Sequence, residues 1–331
     1  MKYVRFLSVL VCLMMLGMFG AGFSTAEEYK MAVIFPGSIQ DADYNAIGYM
    51  TMQDVEKQLG IETAYSQKVA VPDAPRVASE YAESGYNIIW AHGAQFNNGM
   101  SEVAGNYPDV TFILEADAPF AEPLSNVIVL GRNYFYGFYV LGAVAAKVTE
   151  TNQIGYVGGL ELPFTYGELN AVHQALQTYN PDATIHYLYA GDFNDPTKAR
   201  QVTETLISKD CDVIISAVNL GNYGLFKAVE NAGRQVWVTT TYTDKHQLAP
   251  KHHLTADLFH FTPPVLKAIE MITNGTKSAY LPMEFGEGKG RYVKLPIDNV
   301  SEELSAEIKE IAEKVASGEI EVVKNLKSLD F

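Results

Sequence analysis

The chain has 331 residues, 48% of them hydrophobic, with a formal net charge of −15 and two cysteines. So acidic a surface repels phosphate backbones and anionic headgroups, which argues against nucleic acid and membrane surfaces as partners. Length and apolar share suffice for two α/β domains that depend on core burial for stability.

Lys2 and Arg5 precede an apolar stretch from Phe6 to Phe19, followed by the small residues Ser24-Thr25-Ala26. This is the three-part pattern of a secretory signal, and an apolar run of about 14 residues falls short of the roughly 20 that span a membrane. Cys12 lies inside that run with no small residue before it, so cleavage after Ala26 without lipidation is expected. Removing residues 1–26 takes away two basic residues and no acidic one, leaving 22 Lys+Arg against 39 Asp+Glu, a balance of −17. Cys211 then remains as a single thiol, so no intramolecular disulfide can form.

From Tyr29 onward, apolar runs rich in β-branched residues alternate with amphipathic stretches. Strands are predicted at Met31–Phe35, Asn87–Ala91, Val110–Leu114, Asn126–Gly131, Gln153–Val157, Thr184–Tyr189, Val213–Ala217, Gln235–Thr240 and His253–Asp257. Helices are predicted at Ala46–Leu59, Asp73–Ser84, Gly99–Tyr107, Tyr136–Val148, Thr165–Tyr179, Pro196–Lys209, Asn222–Ala232 and Val265–Thr273, with a charged amphipathic helix over Ser301–Ser317. Nearly continuous apolar strands separated by helices indicate parallel sheets covered on both faces. Asp195-Pro196 is a helix start, with an acceptor for free amides and a first position that needs no N–H. A first sheet of four or five strands ends near Gly131 and a second begins near Gln153. The predicted division is a signal at 1–26, one lobe at 27–146 plus about 258–290, and a second at 147–257 plus about 291–331.

Catalytic fingerprints for acyl transfer, phosphate cradling or dinucleotide binding are missing, and the glycines of Gly155–Gly159 read as a tight strand exit. Adjacent His252 and His253 point to opposite faces of a strand, and His173, His186, His246 and His260 have no partner at ligand spacing, so no metal is expected. Cys211, between Asp210 and Asp212, reads as an inert thiol. The chain is accordingly expected to be neither an enzyme nor a cofactor carrier.

Polar and aromatic residues recur instead in the loops after strands, where open parallel sheets bind ligands. These are Asp41, Asp43, Tyr44 and Asn45 after the first strand, His92, Gln95 and Phe96 after the second, and Glu115 and Asp117 after the third. Arg132, Asn133 and Tyr134 follow the fourth, and the second lobe offers Phe164, Asn219 with Asn222, and Tyr242 with Asp244. Rings beside Asn and Asp suit a flat ligand with a polar edge. Asp41, Asp43 and Glu115 could also form an acid cluster for hydrolysis, the least favoured reading.

Several strings carry a family resemblance: Asp43-Tyr44-Asn45, Val103-Ala104 through Tyr107–Phe112, Tyr136–Tyr139 with Gly142–Ala146, Ile154–Gly159, Gly191–Ala199 and Cys211–Ile214. Together they make the sequence resemble the basic-membrane-protein, nucleoside-receptor-like family of bacterial solute-binding proteins over nearly all of the mature chain. The resemblance implies a two-lobed periplasmic-binding-protein fold of type I, an ABC permease as partner, a monomer outside the cytoplasm, and a purine, nucleoside or flavin-type ligand. It puts Tyr44 where an aromatic stacks on the base, Asn45 beside it, Phe164 as a second stacking face, and Glu115 at an acidic ligand position.

Nucleoside-binding members tend to carry two aspartates where this chain has Tyr242 and Asp244, and a lysine where it reads Asp257–Phe261. Ribose hydroxyls buried against Tyr242 and Phe259 would be poorly satisfied, at about 1–3 kcal/mol each. The expected cargo is therefore a purine-type base, with a nucleoside or flavin as the alternative, and sensing as the alternative to transport. An exported nucleoside hydrolase ranks last.

Overall fold

The computed structural model describes residues 29–329. Strand β1 (Lys30–Ile34) shows why its sheet is covered twice: Met31 and Val33 enter one apolar cluster, Ala32 and Ile34 another. Such a strand is buried on both faces, as parallel sheets require. β1 pairs in parallel with β2 (Glu62–Ser66) and β3 (Ile88–Ala91), β3 with β4 (Thr111–Ala116), β4 with β5 (Val127–Gly131), and β5 with β11 (Ala279–Pro282). The first sheet thus runs β11-β5-β4-β3-β1-β2. Its helices are α1 (Tyr44–Leu59), α2 (Ala74–Glu83), α3 (Asn97–Asn106) and α8 (Thr262–Thr273).

The second sheet repeats the plan. β6 (Gln153–Gly158) lies between β7 (Thr184–Tyr189) and β8 (Val213–Ala217), followed by β9 (Trp237–Tyr242), β10 (His253–Phe259) and β12 (Arg291–Val293). Only β12 runs antiparallel among the described pairings. Helices α4 (Tyr134–Val148), α5 (Pro163–Tyr179), α6 (Pro196–Ser208), α7 (Asn222–Glu230) and α9 (Glu302–Ser317) cover it. The anticipated start at Asp195 is present: its carboxylate accepts from the backbone amides of Thr197 and Lys198.

The α/β class and the two-sheet, periplasmic-binding-protein-like architecture are as expected, but the first sheet has six strands rather than four or five, and the second also has six. β2, β11 and β12 have no counterpart among the predicted strands. Three passages join the sheets: β5 to β6 through α4, β10 to β11 through α8, and β11 to β12. α4, placed from sequence at the boundary between the lobes, packs chiefly on α5 and also meets β8, β10, β12 and α9. It is buried nearly all round. Gly142 permits the close approach to α5, because a Cβ there would lie 2.9 Å from Ala175 Cβ.

Each sheet reverses its strand order at one place, β1 between β2 and β3, and β6 between β7 and β8. The crevice beyond the carboxyl ends of such a pair is where doubly wound sheets receive ligands. Among the described residues, no helix is long and apolar enough to cross a membrane.

Candidate functional site

Asp41 organises the loop after β1. Its carboxylate accepts from the backbone amides of Asp43, Asn45 and Ala46 and from Asn45 Nδ2, satisfying free amides at the start of α1. Burial pushes its pKa up, but hydrogen bonds from Asn45 and Asn219 and two backbone amides outweigh this and hold it below the usual range. Asn45 is spent on the same brace, its Oδ1 accepting from Gly37 N at 3.1 Å.

With α1 started there, Tyr44 faces β3 and β4. Its hydroxyl donates to Glu115 Oε2 at 2.6 Å, and its ring stacks on His92 at 4.0 Å and 14°. Glu115 Oε1 lies 2.7 Å from His92 Nδ1 and accepts from Trp90 Nε1 at 3.1 Å. His92 Nε2 lies 2.9 Å from the Tyr44 carbonyl oxygen, so its two hydrogen bonds form together only when both ring nitrogens carry protons. Glu115 is completely buried, which alone would raise its pKa, yet the His92 partner and Tyr44 hydroxyl keep it lowered. The carboxylate therefore positions an aromatic wall, with both oxygens committed to protein donors.

Arg132 and Tyr134 follow β5. Arg132 pairs with Asp117 at 2.7 Å, and its guanidinium covers the rings of Tyr134 (4.8 Å) and Phe164 (4.7 Å). Phe164, in the first turn of α5 near the β6 exit, stacks on Tyr134 at 5.2 Å and on Phe193 at 6.1 Å. Tyr242 is the last residue of β9 rather than part of the following loop, as the sequence suggested, because the strand runs two residues beyond its predicted end. Its φ of 74° is rare for a bulky residue and marks local strain of the kind found at functional sites. Its ring lies 5.2 Å from both Tyr44 and Phe259, and its hydroxyl 3.2 Å from that of Tyr134.

Polar contacts join the same loops from opposite sheets. Asn219 Nδ2, after β8, donates to Asp41 Oδ2 at 3.0 Å. Asp43 Oδ1 accepts from Lys245 Nζ at 2.9 Å and from Thr243 Oγ1 at 3.1 Å. Burial outweighs the Lys245 charge at Asp43 and pushes its pKa up to about 6. Among the described residues, Asn219 Oδ1 and Arg132 Nε are buried without hydrogen-bond partners.

Asp43, Tyr44, Asn45, His92, Glu115, Arg132, Tyr134, Phe164, Asn219 and Tyr242 thus meet around the two switch points. Gln95 and Asp244 do not join them. Gln95 is exposed on a short 3-10 turn, and Asp244, also exposed, accepts from His246 N and approaches Lys294 at 3.5 Å. Asp41, named with its loop, joins the group as well, and Lys245 and Phe193 belong to it without having been singled out as ligand positions; the signal for Lys245 was a lone cation beside the chosen aspartate. Asp41, Asp43 and Glu115 do not form one acid cluster, since each is tied to its own partners. The anticipated isolation of the histidines is wrong for His246, whose Nδ1 lies with His253 Nδ1 and an Asp298 oxygen within 4.8 Å of one another.

Two doubly wound sheets, joined by three passages and facing each other through aromatic, polar-edged loops, define a two-lobed solute-binding protein. Residues 29–325 match the Bmp family model, described as ABC transporter substrate-binding protein PnrA-like, and the chain belongs to that family. Such proteins bind small ligands and work with membrane permeases, and the family is one of substrate-binding proteins rather than enzymes. A Haloferax volcanii protein named as an ABC transporter glucose-binding protein is 26% identical over 92% of this chain and 76% of its own length. A purine-binding protein of Brucella abortus is 22% identical over 92% of this chain and 85% of its own. The fold is shared with the solute-binding protein of an Aeropyrum pernix ABC transporter system, with a TM-score of 0.74 at 20% identity, covering 90% of this chain and 94% of that one.

Proposed function

We propose that this chain is the extracytoplasmic receptor of an ABC importer and binds a purine base, or a heterocycle of similar flat shape, between its two sheets. The supporting observation is the aromatic group built from both switch points, Tyr44 on one side and Phe164, Tyr134 and Tyr242 on the other, with Asn219 Oδ1 and Arg132 Nε buried beside it. Rings offer stacking faces, and one acceptor and one donor suit the edge of a base.

A nucleoside is less well served. Tyr242 and Phe259 pack on each other, and Asp244, the second position where an acceptor for ribose hydroxyls was sought, faces Lys294 instead. A sugar, which the Haloferax relative's name suggests, needs several side-chain acceptors. Asp41, Asn45 and Glu115 are already engaged with protein donors.

In this reading one lobe holds β1 to β5, α1 to α3, α8 and β11, and the other the remaining elements. Ligand favours closure because it touches both. The signal at 1–26 lies outside the described residues, and release after Ala26 belongs to the same proposal. The test is a thermal-shift panel of adenine, guanine, hypoxanthine, inosine, riboflavin and glucose. Bases are expected to raise the midpoint, a hundredfold excess over Kd being worth about 2.7 kcal/mol. A shift with glucose and none with any base would overturn the assignment, and release of base from inosine would overturn the receptor role.

A further inference from the structure

Away from the cleft, the connection between β9 and β10 folds back over the second sheet and brings His246 and His253 to Asp298, which precedes α9. His246 Nδ1 lies 3.0 Å and His253 Nδ1 3.5 Å from Asp298 Oδ2. His253 is fully buried, and its other nitrogen, Nε2, lies 3.0 Å from Thr240 Oγ1. Neither Nδ1 makes a hydrogen bond among the described residues. A buried imidazole held through one nitrogen, with the other aimed unpaired at a carboxylate and a second imidazole, has the form of a metal ligand with its outer support in place.

We propose that His246 Nδ1, His253 Nδ1 and the Asp298 carboxylate bind a divalent transition cation of the Zn2+ and Co2+ type. Two imidazoles and one carboxylate suit such ions, with the remaining positions taken by water. Tetrahedral bonds of about 2.0–2.1 Å put ligand atoms roughly 3.3 Å apart. The donors, all within 4.8 Å, therefore need to contract by up to about 1.5 Å. His246 can supply most of that, since it sits on a short surface turn and is 31% exposed, which also leaves an entry path.

One group competes: Lys294 Nζ rests on Asp298 Oδ2 and also lies 3.5 Å from Asp244 Oδ2. The cation displaces this ammonium from Asp298, and Asp244 is placed to receive it. Occupation ties the connection that carries Thr243 and Lys245 to the segment leading into α9.

The experiment titrates the chelator-stripped protein with Zn2+ by calorimetry and with Co2+ by visible absorption. The expected result is one equivalent bound, visible bands of a four- or five-coordinate Co2+ site, and a higher melting temperature with Zn2+. His246→Gln and Asp298→Asn should each weaken binding by about tenfold or more, and Lys294→Met should tighten it. His246→Gln alters only a partly exposed turn residue, so it decides the matter even if Asp298→Asn unfolds. No Zn2+ heat and no Co2+ bands, or binding unchanged in His246→Gln, would overturn the site.

Discussion

Glu115 is the residue on which the first wall of the site turns. It receives the Tyr44 hydroxyl and Trp90 Nε1 and pairs with His92 Nδ1, and a glutamine of the same shape would present an NH2 group to these donors. Glu115→Gln is expected to cost about 1.5–3 kcal/mol, the range for hydrogen bonds to a charged group, read as a lower urea midpoint. An unchanged midpoint would show that the carboxylate does not hold the wall. Sequence reading found Tyr44, His92 and Glu115 because each follows an apolar strand, but gave Glu115 to the ligand. Whether a carboxylate faces a ligand or three protein donors depends on residues 23 to 71 positions away, which no local pattern displays. The same limit hid Lys245: of two neighbouring charges, one turned toward Asp43 and the other toward Lys294.

At the level of elements, most of the fold was legible, since long periodic segments declare themselves. The strands that escaped lack that signal. β2 is an edge strand without a fully buried residue, its sequence ETAYS carrying too little apolar character to stand out, and β12 is three residues long. The packing of α4 was also hidden, because a helix apolar all round does not say which neighbour it covers. Helix-on-helix packing supplies a sharper test at α6 and α7. Gly224 of α7 sits against the Pro196 carbonyl at the start of α6, where a Cβ would collide with main chain rather than with a yielding side chain. Gly224→Ala should therefore destabilise by about 1–3 kcal/mol by overpacking, despite alanine's higher helix propensity. Urea unfolding measures it, and a stabilised variant would mean that the two helices part easily.

For the whole molecule, stability should respond to pH through Glu168, buried on α5 with the Tyr156 hydroxyl donating to it at 2.6 Å. Burial, only partly offset by Tyr156 and Arg291, pushes its pKa up to about 8. The folded protein then keeps a proton that the unfolded chain releases near its ordinary value of 4.5, so stability falls as pH rises from about 4.5 to 8. Asp43 and Asp257, both pushed up to about 6, act in the same direction at lower pH. Glu168→Gln should flatten the decline in melting temperature between pH 6 and 8 and only lessen it below pH 6, where Asp43 and Asp257 still contribute. An identical slope in the variant would show that Glu168 is already ionised in the folded protein.

Polar contacts between the cleft loops include Asp43 with Lys245 and Thr243, and Asp41 with Asn219, and in the proposed reading a ligand in the aromatic group adds to them on closure. Calorimetric titration of the wild-type protein and Tyr44→Ala with hypoxanthine tests this most directly. The account predicts saturable binding to the wild type and a loss of about 1–3 kcal/mol in Tyr44→Ala, the usual worth of one aromatic stacked on a base. Equal affinity in the two proteins, or heat with glucose and none with hypoxanthine, would contradict it.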